Sequence, residues 1–140
     1  MFNLNDNLKN KKFLIYGYGK SGHASFNYLK KNNKVSIYDD NKISRKSFIS
    51  LKKIKLSEFD HIVLSPGIDI NKCKLKEYLK KNRKKIITDL DIFYLNNPKN
   101  LKITITGTNG KSTTAKLLFK ILKDQNKDVK LMGNIGIPVL

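Results

Sequence analysis

Two glycine-bounded loops, each fed by a short apolar run and each opening an amphipathic segment, predict an α/β chain. The first part reads as a mostly parallel sheet with helices, and the second as the start of a phosphate-loop unit. A third observation strengthens the first part: Asp39 lies 22 positions after the opening glycine, Gly17.

Lys12 to Tyr16 (K-F-L-I-Y) is apolar and long enough for a buried strand. It runs into Gly17-Tyr18-Gly19-Lys20-Ser21-Gly22, a G-x-G-x-x-G stretch. Gly22, Phe26 and Leu29 follow at i, i+4 and i+7, one face of a helix ending near Asn32-Asn33. Val35, Ile37 and Tyr38 then form a second strand, closed by Asp39 and Asp40. Strand, glycine loop, helix, strand and acid in that order predict a Rossmann-like βαβ start. The glycines and the helix N-terminus suit a pyrophosphate, and any nucleotide with a diphosphate or ribose could use them. Asp39 reads equally as a ribose contact or as a strand-end turn residue.

Beyond Asn41 the pattern is weaker, with a helix expected around Ser47 to Lys53 and a short strand near Ile54 to Leu56. His61 to Leu64 is a clear buried strand, ending in Ser65-Pro66-Gly67-Ile68, a turn where open α/β sheets hold ligands. Leu75, Tyr78 and Leu79 mark a helix face, Ile86-Ile87 a fifth strand, and Asp89 the cap of a short helix. Asn96 to Asn100, polar and proline-containing, marks a boundary between domains at 1–97 and 98–140.

The second unit centres on Ile103 to Thr114, I-T-I-T-G-T-N-G-K-S-T-T. Alternating Ile103, Thr104, Ile105 and Thr106 read as a strand end. Gly107, Thr108, Asn109 and Gly110 form the loop, whose amides and following helix turn would point at a phosphate. Lys111 would set its charge against the β- and γ-phosphates, Ser112 would reach a Mg²⁺, and Thr113 continues the turn. The first glycine of a full G-x-x-x-x-G-K-[ST] pattern would fall at Ile105, so a plain strand–turn–helix is the competing reading. Ala115, Leu118 and Leu122 give the helix an apolar face, and Val129 to Met132 reads as a further strand. About 40 such residues cannot cover both faces of a sheet, so this unit is expected to be the truncated start of a larger domain.

The charge balance, 29 Lys+Arg against 11 Asp+Glu, gives +18 and first suggests a polyanion partner. Lysine supplies 27 of those cations, however, leaving Arg45 and Arg83 alone suited to bidentate base contacts. No stretch interleaves basic residues with aromatics, so no specific nucleic-acid partner is expected. No apolar run approaches the ~20 residues that span a bilayer. Met1 to Lys12 lacks the apolar core of a signal peptide, and the single Cys73 forms no internal disulfide. A cytoplasmic protein without a membrane segment is expected. His23 and His61 have no metal-ligand spacing around them, and Tyr16, Tyr38 and Phe93 read as core.

Four stretches in this order resemble the Mur ligase family, and within it the D-glutamate-adding type. They are the Gly17-to-Gly22 loop, Ser65-Pro66-Gly67-Ile68, Gly107 to Thr113, and Gly133-Asn134-Ile135-Gly136. The resemblance implies an ATP- and Mg²⁺-dependent amide ligase joining D-glutamate to UDP-N-acetylmuramoyl-L-alanine through an acyl phosphate, monomeric at full length. It implies that residues 1–97 bind the UDP substrate and that 98–140 begin the central ATP-binding domain. By position, Gly19, Lys20 and Ser21 would lie at the diphosphate, and Asp39, Asp40 and Asn41 near the uracil and ribose. Gly67 would lie over them, Gly107 to Thr113 would hold ATP phosphates, and Asn134 would contact substrate from the second unit. Lys20 departs from the family, which often has an apolar residue there. The family's later metal-binding residues and amino-acid-binding domain fall beyond Leu140, so this stretch alone is expected to be inactive. A nicotinamide oxidoreductase would account for the first 40 residues and a basic nucleic-acid module for the charge. Neither explains both glycine loops.

Overall fold

A computed structural model describes residues 8–41, 47–133 and 137–140. The chain divides into two compact units, Met1–Asn97 together with Leu140, and Pro98–Val139. In the first, β1 (Lys12–Tyr16) leads to α1 (Lys20–Leu29) and β2 (Lys34–Tyr38). Then come β3 (His61–Leu64), α2 (Lys76–Lys81), β4 (Ile86–Ile87) and α3 (Asp89–Asn96). The strands form one parallel sheet in the order β2-β1-β3-β4. Pairing runs in register from Phe13 opposite Val35 and His61 to Tyr16 opposite Tyr38 and Leu64.

Strand alternation sorts the core into two faces. Phe13 and Ile15 pack with Val63, Leu29 and Ile92, while Leu14 and Tyr16 pack with Ile62, Leu75 and Leu79. α1 and α3 therefore supply side chains to one face and α2 to the other, covering the sheet as parallel strands require. Burying a side chain such as Leu79, fully excluded from solvent, contributes about 2 kcal/mol. Cys73 belongs to the α2-side core and is buried there. His61 opens β3 half-buried and stacks on Phe13, with ring centroids 5.4 Å apart.

Three local expectations fail, each because of where hydrogen bonds go. Ser47 to Lys53 is not one helix, because Ile37 N–H donates to Ser47 O and Ile49 N–H to Ile37 O, both at 2.9 Å. That pairing extends the sheet edge at Phe48 and leaves room only for short 3₁₀ turns at Leu51–Lys53 and Leu56–Glu58. No strand forms at Ile54 to Leu56, where the Leu56 carbonyl instead accepts from the Tyr78 hydroxyl (2.8 Å). Ile86-Ile87 is accordingly the fourth strand. At α3 the cap is Thr88: its hydroxyl accepts from Asp91 N–H, and Asp91 accepts from Thr88 N–H, a reciprocal capping box.

In the second unit the regular element among the described residues is α4 (Lys111–Asp124). Ile103 to Thr106 and Val129 to Met132 are not strands here, contrary to their β-branched pattern. A strand exists by pairing, and no ladder forms on either segment among the described residues. Leu101 and Ile103 stay 92% and 57% exposed, and no residue of α4 is fully buried. No helix among the described residues is long and apolar enough to cross a membrane.

Thr88→Ala removes half of the capping box and should cost about 1 kcal/mol of stability, read from the urea midpoint.

Candidate functional site

The chain leaves β1 for β2 on one side and then crosses to β3 on the other, so the strand order reverses between β1 and β3. At such a switch point the loops after two neighbouring strands part and leave a crevice. The loop after β1 is Gly17 to Gly19, leading into α1, and the loop after β3 begins at Ser65.

Gly17 adopts φ +90°, and a Cβ there would lie 2.9 Å from the Ser65 Cβ, so only glycine fits. Its N–H donates to Tyr38 O at 2.9 Å and its carbonyl accepts from the Ser65 hydroxyl at 2.7 Å. Tyr18 N–H donates to Asp39 Oδ2 (2.7 Å), and Asn41 N–H to Asp39 Oδ1 (3.0 Å). The first intrahelical bond of α1 runs from His23 N–H to Gly19 O. Lys20, Ser21 and Gly22 therefore contribute amides with no intrahelical acceptor, and no acid occupies this first turn. Gly19, at the N-cap, and Lys20 are exposed, Ser21 is half-buried, and Gly67 is exposed with open space around its Cα. The loop thus carries positive potential at its open end.

The acids after β2 are already engaged. Both Asp39 oxygens accept main-chain N–H groups, so this carboxylate ties the glycine loop to the end of β2. Asp40 accepts from the Tyr16 hydroxyl at 2.8 Å, and Lys74 Nζ donates to its main-chain carbonyl at 3.3 Å. Burial, then the bond to Asp40, keeps the Tyr16 phenol protonated well above its ordinary range. Burial first, then the neighbouring Asp40 carboxylate, push Tyr38 up to about 12. Gly19, Lys20, Ser21, Asp39, Asp40, Asn41 and Gly67 all follow the C-terminal ends of β1, β2 and β3. Two residues outside that expectation shape the loop. They are Ser65, whose hydroxyl holds Gly17, and Tyr18, whose ring meets Phe26 and Phe48 edge-on. The sequence signal for Ser65 is its place as the first residue after a buried strand.

In the second unit Gly107 and Gly110 take φ +145° and +75°, and Gly110 is the N-cap of α4. Thr114 N–H donates to Gly110 O, so the Lys111, Ser112 and Thr113 amides precede the first intrahelical bond. Thr108, Asn109, Ser112 and Thr113 are exposed. Lys111 Nζ donates back to the carbonyls of Gly107 and Thr108, curling the side chain over its own loop. Asn134 lies outside the described residues. Among the described residues no group of three or more His, Cys, Asp or Glu could hold a metal ion.

No family model matches the chain. Curated relatives do. The chain is 34% identical over 141 residues to the UDP-N-acetylmuramoylalanine--D-glutamate ligase of Rickettsia bellii (strain RML369-C), covering 94% of this chain and 31% of that protein. The enzyme of the same name from Francisella philomiragia is 37% identical, over 96% of this chain and 32% of the relative. The one from Francisella tularensis subsp. tularensis is 38% identical, over 99% and 32%. The chain spans about a third of the length of the curated relatives it matches.

Asp39→Ala leaves two main-chain N–H groups without their charged acceptor and should cost about 1.5–3 kcal/mol by urea denaturation, with Asp39→Asn costing less. For Tyr38, the folded value near 12 exceeds the unfolded 10.0, so above pH 10 the unfolded chain loses its proton first. The contribution is full below pH 10 and is lost as pH rises through about 12. Tyr38→Phe should remove this part of the decline in a pH series of thermal midpoints.

Proposed function

We infer that this chain, a member of the Mur ligase family over its matched length, supplies the substrate-binding domain and first ATP-loop unit of a ligase. The reaction is the ATP-dependent joining of D-glutamate to UDP-N-acetylmuramoyl-L-alanine, via an acyl phosphate, in peptidoglycan precursor synthesis. The observation that carries this reading is the 34–38% identity to ligases of that name across 94–99% of the chain. The arrangement of the loop after β1 supports it, since unpaired amides beside a lysine suit a diphosphate.

On this reading residues 1–97 bind the UDP moiety, with the Gly19, Lys20 and Ser21 segment at the diphosphate and Gly67 over it. Asp39, Asp40 and Asn41 border the uracil and ribose, with Asp39 acting first on the loop itself. Residues 98–140 begin the ATP-binding domain, where Gly107 to Gly110 and the Lys111, Ser112 and Thr113 amides hold phosphates. The αL Gly110 cap and the exposed first turn of α4 fit a phosphate. The Ser112 hydroxyl fits a Mg²⁺ that takes most of its ligands from phosphates and water. ATP supplies the phosphoryl group that activates the substrate carboxylate, and Lys111 offsets charge on it. Asn134 contacts substrate from the second unit. The full-length enzyme works as a cytoplasmic monomer.

A calorimetric titration with UDP-N-acetylmuramoyl-L-alanine, using NADH as the control, tests the reading. Binding of the UDP compound alone supports it, and binding of NADH alone overturns it. Lys111→Ala should weaken ATP binding by about 1.5–3 kcal/mol while leaving the UDP compound unaffected, because a charged hydrogen-bond partner is lost at one loop only. Equal losses for both ligands would sink the assignment of two sites.

A further inference from the structure

The Gly17–Tyr18 peptide is gripped from both of its polar ends. Its carbonyl accepts the Ser65 hydroxyl proton at 2.7 Å, and its N–H, that of Tyr18, donates to Asp39 Oδ2 at 2.7 Å. Ser65 is itself fixed: its N–H donates to Tyr16 O at 3.0 Å, carrying the β1–β3 pairing one step past the strands, and it is only 9% exposed. The space around this peptide is full. A Cβ at Gly22 would lie 2.0 Å from Gly17 O and 3.0 Å from Ser65 Oγ, so the helix start packs directly on the gripped carbonyl.

We propose that Ser65 is a positioning residue for a nucleoside diphosphate, locking the Gly17–Tyr18 peptide plane against Asp39 so that the loop presents the α1 amides in one orientation. The inference rests on the UDP-binding reading above. Rotating that peptide would break the Ser65 and Asp39 bonds together, which is why these two ties hold one geometry. With the hydroxyl gone, the plane is held on one side only and the loop samples other orientations. Apparent affinity then falls by the fraction of time the competent orientation is populated. The loss applies to a ligand that uses the α1 amides and not to one that lacks phosphates.

The test compares UDP, by calorimetry, with uridine, by NMR titration, on the whole chain and on Ser65→Ala and Ser65→Cys. Measurements are made at a temperature where circular dichroism shows each variant folded. Ser65→Cys keeps the side-chain size with a weak donor and serves if the alanine variant does not fold. The expected result is UDP binding about tenfold weaker for Ser65→Ala, as for one lost hydrogen bond, with uridine binding unchanged. Ser65→Cys should fall between the alanine variant and the parent. Parallel losses for UDP and uridine would show a merely structural hydroxyl and overturn the proposal, as would unchanged UDP binding. A parent chain that binds no UDP overturns the underlying reading and the proposal with it, a result distinct from either of those.

Discussion

Placing β1 between β2 and β3 in a parallel sheet forces three chain exits to one edge, and the glycine loop can exist only there. The main chain at Gly17 turns where β1 ends, at the same register at which β2 and β3 end on either side. Its N–H reaches across to Tyr38 on β2 and its carbonyl across to Ser65 after β3. Side chains are excluded at Gly17 and Gly22 because those residues fill the space through which the strands and α1 approach. The geometry of the loop is therefore set by sheet register. A slip of one residue in β1 would exchange the Phe13/Ile15 and Leu14/Tyr16 faces and pull Gly17 away from both partners.

The parts of this arrangement legible from sequence are those with a short repeat or a fixed spacing. The K-F-L-I-Y run, the G-x-G-x-x-G loop and H-I-V-L carry enough local pattern to place β1, α1 and β3. Asp39 was legible as an acid at the right distance, but its grip on Tyr18 N–H is a contact across 21 positions that no spacing encodes. The same holds for Ser65 and Gly17, 48 positions apart. Ser47 to Leu56 misled because its intermittent apolar residues satisfy a helical period weakly. The backbone there spends its donors on the sheet edge instead. Thr88 and Asp89 differ by one position, within the ordinary uncertainty of a helix boundary.

The second unit shows the limit of local pattern most plainly. Ile103 to Thr106 has strand composition and α4 has an amphipathic stripe, yet a strand needs a neighbour and a stripe needs a surface. Helix formation is local, so α4 is present while the flanking segments remain without a ladder. The exposed ion pair on the first unit adds little to its stability. The Lys55–Glu58 pair is the one ion pair found among the described residues, and its side chains are 80% and 53% exposed. Cohesion in the first unit comes from the two-faced apolar core and the main-chain ties at the C-terminal ends of its strands.

Cys73 gives that core a built-in reporter. It is the only cysteine in the sequence, and it sits in the core cluster with Leu75, Leu79 and Tyr16, one turn of chain before α2. A thiol reagent can reach it only when the α2 side lifts from the sheet, so the labelling rate measures the free energy of that opening. Where labelling keeps pace with global unfolding, α2 and the sheet form one cooperative unit. Where it runs ahead, the α2 side is a separate layer that loosens first, and Asp40, held by Tyr16 from the same layer, would loosen with it.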